Sequence, residues 1–130
     1  MSAVIVRQAA LTDLRELAVL FDRYRQFQGQ AADPAAARGF LHARFDHGES
    51  VIFVAHQVST PVGFAQLYPS YSSVSLARVF LLNDLFVLES ARRTGVASKL
   101  LAAIETHAWS LGAVRITLNV ANDNQPGREL

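Results

Sequence analysis

The 130-residue chain has no cysteine, which excludes disulfides, a thiolate nucleophile and any zinc site built on thiolates. An excess of charge of one sign is also missing. Twelve Lys and Arg against eleven Asp and Glu leave a formal net charge of +1, so no general attraction to nucleic acid or to an anionic membrane is expected. No apolar run approaches the roughly 18 to 20 residues that cross a bilayer, and the apolar residues 79–82 run straight into Asn83-Asp84. Residues 1–7 lack the charged start and long apolar stretch of a signal peptide, and a cytoplasmic location is expected. A dinucleotide-binding Gly-x-Gly-x-x-Gly turn is absent from the early chain, as is a Gly-x-x-x-x-Gly-Lys-Ser/Thr phosphate loop. His42, His47, His56 and His107 show no metal-ligand spacing, and no metal is expected.

Hydrophobic residues are plentiful. They make up 51% of the chain and charged residues only 18%, the reverse of a disordered composition. A chain of this length reads as one compact domain. Val4-Ile5-Val6 is a short β-rich run, and Thr12-Asp13 opens a helix with an acidic first turn. Leu14, Leu17, Ala18, Phe21, Arg25 and Gln28 carry that helix to about Phe27, and Gly29 ends it. Asp33-Pro34 starts a second helix, with Asp as N-cap and Pro where its missing N–H costs nothing.

From Ser50 the period changes. Residues 51–55 and 62–68 read as an antiparallel hairpin, Tyr68-Pro69-Ser70-Tyr71-Ser72-Ser73 as a loop, and residues 79–88 as the most apolar strand. Val96, Leu100, Ile104, Ala108 and Leu111 mark an amphipathic helix closed by Gly112. Val114, Ile116, Leu118 and Val120 then alternate with Arg115, Thr117 and Asn119 as a strand. Strand, helix and strand in succession imply a parallel crossover. The fold class expected is α/β (α+β), a mixed central sheet flanked by helices in the order β-α-α-β-β-β-α-β.

The segment most suggestive of chemistry joins that apolar strand to the long helix through Arg92-Arg93-Thr94-Gly95-Val96-Ala97 and Ser98. A helix N-terminus exposes unpaired N–H donors and about half a positive charge, enough to hold a pyrophosphate without a dedicated side chain. Small residues at Gly95, Ala97 and Ser98 let phosphates approach the backbone, and Arg92 and Arg93 add charged donors.

This stretch resembles the signature of the GCN5-related N-acetyltransferase (GNAT) family, Arg/Gln-x-x-Gly-x-Gly/Ala between a strand and a long helix. The resemblance extends to Asn83-Asp84-Leu85-Phe86-Val87 and to Asn119-Val120-Ala121-Asn122-Asp123-Asn124-Gln125-Pro126, and so spans nearly the whole chain. It implies an acetyl-CoA-dependent N-acetyltransferase acting by direct attack of a primary amine on the thioester. The implied acceptor is a small molecule such as an amino acid or a polyamine. By the same resemblance the backbone of Leu85, Phe86 and Val87 holds the pantetheine and acetyl carbonyl. The turn and helix start from Arg92 through Arg93, Thr94, Gly95, Val96, Ala97 and Ser98 hold the pyrophosphate, and Asn124 touches the cofactor from the other side.

Asp84 is the candidate base or amine anchor, because a carboxylate within an apolar strand is costly unless paired or used. The alternative is that it ties down neighbouring backbone or Arg78. Polyamine acetyltransferases, which this strand also resembles, carry Glu where this chain has Asn83, so a water relay replaces that base. Tyr68 and Tyr71 are candidates for the amine pocket, in a phrase that resembles yeast histone and D-amino-acid acetyltransferases. Tyr24, Phe27 and Asp22 are further candidates for the acceptor side.

The family pattern continues beyond the equivalent of Leu130 with a tyrosine acid, the rest of a helix and two final strands. The domain is therefore expected to be C-terminally incomplete, with an uncovered strand edge that favours a homodimer or strand-swapped self-association. The rival readings are a catalytically poor acyl-CoA-binding module completed by self-association, and a protein or histone acetyltransferase.

Overall fold

Both faces of the sheet's centre are apolar, and each face carries its own helical layer. The computed structural model describes residues 3–118. Its strands are β1 (Val4–Gln8), β2 (Val51–Gln57), β3 (Thr60–Ser72), β4 (Ala77–Val87) and β5 (Ile116–Leu118), and its helices α1 (Leu14–Phe27), α2 (Pro34–His47) and α3 (Val96–Ser110). The strands lie in the order β1-β2-β3-β4-β5, antiparallel except for the parallel pair β4 and β5. This is the expected α/β arrangement, with the crossover through α3.

The α3 stripe of Val96, Leu100, Ile104 and Ala108 packs on Phe53, Ala55, Ala65, Leu67, Phe80 and Leu82. On the other face, Leu14, Leu17 and Phe21 of α1 and Ala37 and Leu41 of α2 cover Ile52, Val54, Phe64 and Phe86. Asp33 caps α2 as its sequence foretells, accepting from the Ala36 N–H at 3.1 Å with Pro34 in the first turn, and Gly48 closes the helix in the left-handed region.

One expectation is overturned. Residues 68–72 are not a loop, because β3 runs on to Ser72 and pairs with β4 from Tyr68↔Leu81 to Ser72↔Ala77. Proline within a strand is tolerated where no neighbour needs its N–H. The last β2 residue in register with β3 is Val51, opposite Leu67, so Pro69 lies past the end of that ladder. Polar composition made an arm of the hairpin look like a turn. Val120 and the turn around Asn124 lie outside the described residues.

Candidate active site

The register of β3 against β4 contains one irregularity, and it falls at the centre of the site. Gln66 pairs with Asp84 and Leu67 with Leu82, leaving Asn83 as an extra residue on β4. A bulge of this kind shifts the alternation of side chains on the bulged strand. Before it, Phe80 and Leu82 belong to the α3-side core; after it, Leu85 and Val87 pack on that same core while Phe86 enters the α1/α2 core. Even positions thus change faces across Asn83, and Asp84 is turned from the α3 side toward α1.

Asp84 is 8% exposed and amply bonded. Its Oδ2 accepts from Gln66 Nε2 at 2.8 Å and its Oδ1 from Asn83 Nδ2 at 3.2 Å, while the Gln66 Oε1 accepts from Ser50 Oγ at 2.8 Å. Burial first, then the nearby charge and acceptor oxygens of Asp84, push the Tyr24 phenol well above its ordinary pKa. The Tyr68 phenol is raised too, first by burial and then by the charge of Asp84. Both phenols therefore remain protonated donors near neutral pH. The expected tie to Arg78 is not made: its guanidinium lies 4.8 Å over the Tyr71 ring and donates to the Tyr71 hydroxyl at 2.7 Å.

Three residues further along β4 stands the turn that enters α3. A short 3-10 turn at Glu89–Ala91 leads into Arg92; Arg93 (φ 66°) and Gly95 (φ 83°) both adopt left-handed backbone, and α3 begins at Val96 with no side chain capping it. Holding a non-glycine residue there costs on the order of 1 kcal/mol or more and is concentrated at functional turns. A Cβ on Gly95 would meet nothing within 4 Å, so the approach to the uncapped N–H groups is open. These features fit a pyrophosphate.

Arg92 is engaged differently from the expectation of a phosphate contact. Its Nε donates to the Val87 carbonyl at 2.9 Å, and its guanidinium lies 5.1 Å over Phe27 and 5.8 Å over Phe86. Phe27 and Tyr24 in turn contact Phe86 with centroids 5.8 and 5.6 Å apart. A row of rings therefore connects Arg92 at one end with Asp84 at the other.

Asn83, Asp84, Tyr68 and Tyr24 come together, and Leu85, Phe86 and Val87 run from them toward residues 92–98. Tyr71 stands apart, since three residues along an unbulged stretch place it on the face opposite Tyr68. Asp22 serves the fold: it accepts from Arg25 at 2.9 Å, Gln26 at 3.2 Å and the Asp33 N–H at 3.1 Å, fastening α1 to the start of α2. Asn124 lies outside the described residues. Sequence reasoning missed Gln66, Ser50 and Gly63. A lone glutamine amid Phe64, Ala65 and Leu67 was the available signal for the first.

Comparison with known proteins agrees with this fold. The family described as the acetyltransferase (GNAT) family matches residues 13–130. A Bacillus subtilis (strain 168) protein named as uncharacterized N-acetyltransferase YhfO is 43% identical over 125 residues, covering 96% of this chain and 84% of the relative. The crystal structure of a probable acetyltransferase superposes with a TM-score of 0.90 at 42% identity, covering 96% of this chain and 84% of the other. The CoA complex of aminoglycoside N-acetyltransferase AAC(6')-Iy shares the fold, with a TM-score of 0.80 at 22% identity over 99% of this chain and 84% of that one.

Proposed function

The chain belongs to the GNAT acetyltransferase family and is an acetyl-CoA-dependent N-acetyltransferase, and from that premise we propose that its acceptor is the primary amine of a small molecule, bound as the ammonium by Asp84. The observation that carries this reading is the bulge at Asn83, which places a carboxylate beside two protonated phenols at one end of a wall of aromatic rings. A carboxylate has about four acceptor positions. Gln66 and Asn83 take one on each of Asp84's oxygens, and an ammonium takes a remaining one.

Acetyl-CoA, when bound, supplies the activated acetyl group and departs as the thiol. The uncapped N-terminus of α3, with Gly95 and Arg93 in left-handed backbone, holds its pyrophosphate. The backbone of Leu85, Phe86 and Val87 carries the pantetheine arm toward Asp84, a span of about 10 Å along β4. Asp84 orients the amine, and the ammonium proton leaves through water at the exposed edge of the carboxylate. Tyr68, on the face of β3 that carries Gln66, borders the same space.

The test is thiol release from acetyl-CoA with spermidine, putrescine, histamine and L-lysine. Turnover with at least one, lost by a hundredfold or more in Asp84→Asn with acetyl-CoA binding retained, is the expected result. Acetylation of peptide N-termini or histone peptides with none of the four amines consumed would overturn the reading.

A further inference from the structure

Gln66 is 0% exposed in the central strand of the sheet, a position where an amide without partners is destabilising. A leucine would fill such a site without that cost, and buried polar groups seldom add net stability over apolar ones of the same shape. Its partners suggest what it is for. It stands directly opposite Asp84 in the β3–β4 register and donates to that carboxylate at 2.8 Å.

The amide nitrogen is the end that faces Asp84, because a carboxylate only accepts. Ser50, just before β2, supports that orientation from outside the strand by donating to Oε1 at 2.8 Å. Reversed, the amide would press its oxygen against a carboxylate, two acceptors with no proton between them. The last torsion of an aspartate is soft, so a carboxylate at a bulge has no fixed plane of its own. Donors on both oxygens, Gln66 on Oδ2 and Asn83 on Oδ1, fix that plane.

We infer that Gln66, braced by Ser50, is a positioning residue that aims the Asp84 carboxylate at the acceptor amine. The inference rests on the reading of Asp84 as the ammonium site. Ser50 acts only through Gln66, and Gln66 only through Asp84. Substitutions along this series change how the amine is held and leave acetyl-CoA, bound at the α3 turn, untouched.

The experiment is steady-state kinetics of the full chain and its variants, using whichever of spermidine, putrescine, histamine and L-lysine the wild type acetylates best. Gln66→Met keeps the volume and removes the donor; it raises the amine KM about 10- to 100-fold, as expected for a lost hydrogen bond to a charged group, with the acetyl-CoA KM within twofold. Ser50→Ala, at the edge of the network, raises the amine KM about threefold, and Ser50→Thr restores it. The double variant is no worse than Gln66→Met alone, since the two residues form one series.

An amine KM within twofold of wild type in folded Gln66→Met overturns the proposal, as does an equal rise in both KM values or strict additivity in the double variant. Should Gln66→Met not fold, the contrast between Ser50→Ala and Ser50→Thr decides alone, and no difference between them overturns it. A wild type that binds acetyl-CoA but acetylates none of the four amines removes the Asp84 reading itself, and this inference with it.

Discussion

Gly63 offers the sharpest test of how the proposed cofactor turn is held. A Cβ built there would lie 3.0 Å from the Phe86 carbonyl oxygen, 3.1 Å from Val96 Cγ1 and 3.4 Å from Leu100 Cδ1. The first of these is backbone of β4 and cannot swing aside, and the second belongs to the first residue of α3. Gly63→Ala therefore drives the start of α3 away from the strand. Overpacking of this kind costs about 1–3 kcal/mol, offset by about 0.4–1 kcal/mol from the reduced freedom of the unfolded chain. The net loss is about 0.5–2 kcal/mol. For 130 residues the unfolding entropy is about 0.27 kcal/mol/K, so Tm falls by about 2–8 °C. Because the displaced residues carry the N–H groups proposed to hold the pyrophosphate, acetyl-CoA affinity should weaken about three- to tenfold, roughly one ordinary hydrogen bond. Thermal unfolding and calorimetric titration with acetyl-CoA measure both. Gly39→Ala is the control: it lies within α2, a Cβ there meets nothing within 4 Å, and the substitution should add about 0.5–1 kcal/mol without touching affinity. A Gly63→Ala protein as stable as wild type, with unchanged affinity, would refute the claim that this glycine sets the helix-to-strand distance.

Asp22→Ala should cost about 1–2 kcal/mol, since it removes the buried acceptor shared by the Asp33 N–H and the Arg25 and Gln26 donors; denaturant unfolding measures this, and kcat per folded molecule should not change. His107 packs against Phe53 and Phe80, and burial lowers its pKa. The folded state therefore takes up the proton less readily than the unfolded chain. Stability is flat above the unfolded value of about 6.5 and declines as pH falls below it; His107→Leu should remove that slope in melting curves taken between pH 7.5 and 5. Asp13 behaves similarly further down: bonded to Arg7, its pKa is lowered to about 2. Its contribution is present above the unfolded carboxylate value and disappears as pH falls toward 2, and Asp13→Asn should flatten unfolding curves over that window.

Much of the fold was legible because periodicity and caps are local. Val96, Leu100, Ile104 and Ala108 disclose α3 by spacing alone, and Asp33-Pro34 marks the start of α2 within a residue. The turn entering α3 was legible for the same reason, being one contiguous segment. What could not be read depends on partners distant in sequence. The strand after Leu67 hides behind Pro69, Ser70 and Ser72, whose pairing with residues 77–81 rests on register rather than composition. Tyr68 and Tyr71 looked like neighbours in a loop, and only that register separates them onto opposite faces. The Gln66–Asp84 pair joins residues 18 apart in sequence. The space around Gly63 is defined by Phe86, Val96 and Leu100 on other elements, so nothing in its own neighbourhood marks it. Asn83 looked like a lost catalytic side chain, whereas its backbone position is what turns the strand.

That turn has a bearing on how such a protein varies over generations. A strand that carries one residue more than its partner can lose a residue there at little cost, provided the right one goes. Losing the codon for Asn83 would close the bulge and restore plain alternation, so that Asp84 follows Leu82 directly and keeps its place opposite Gln66, without the Asn83 donor on its Oδ1. Losing the codon for Leu82 instead would close the same bulge by seating Asn83 in the oily layer under α3, so selection should tolerate a shortened strand at the first codon far better than at the second.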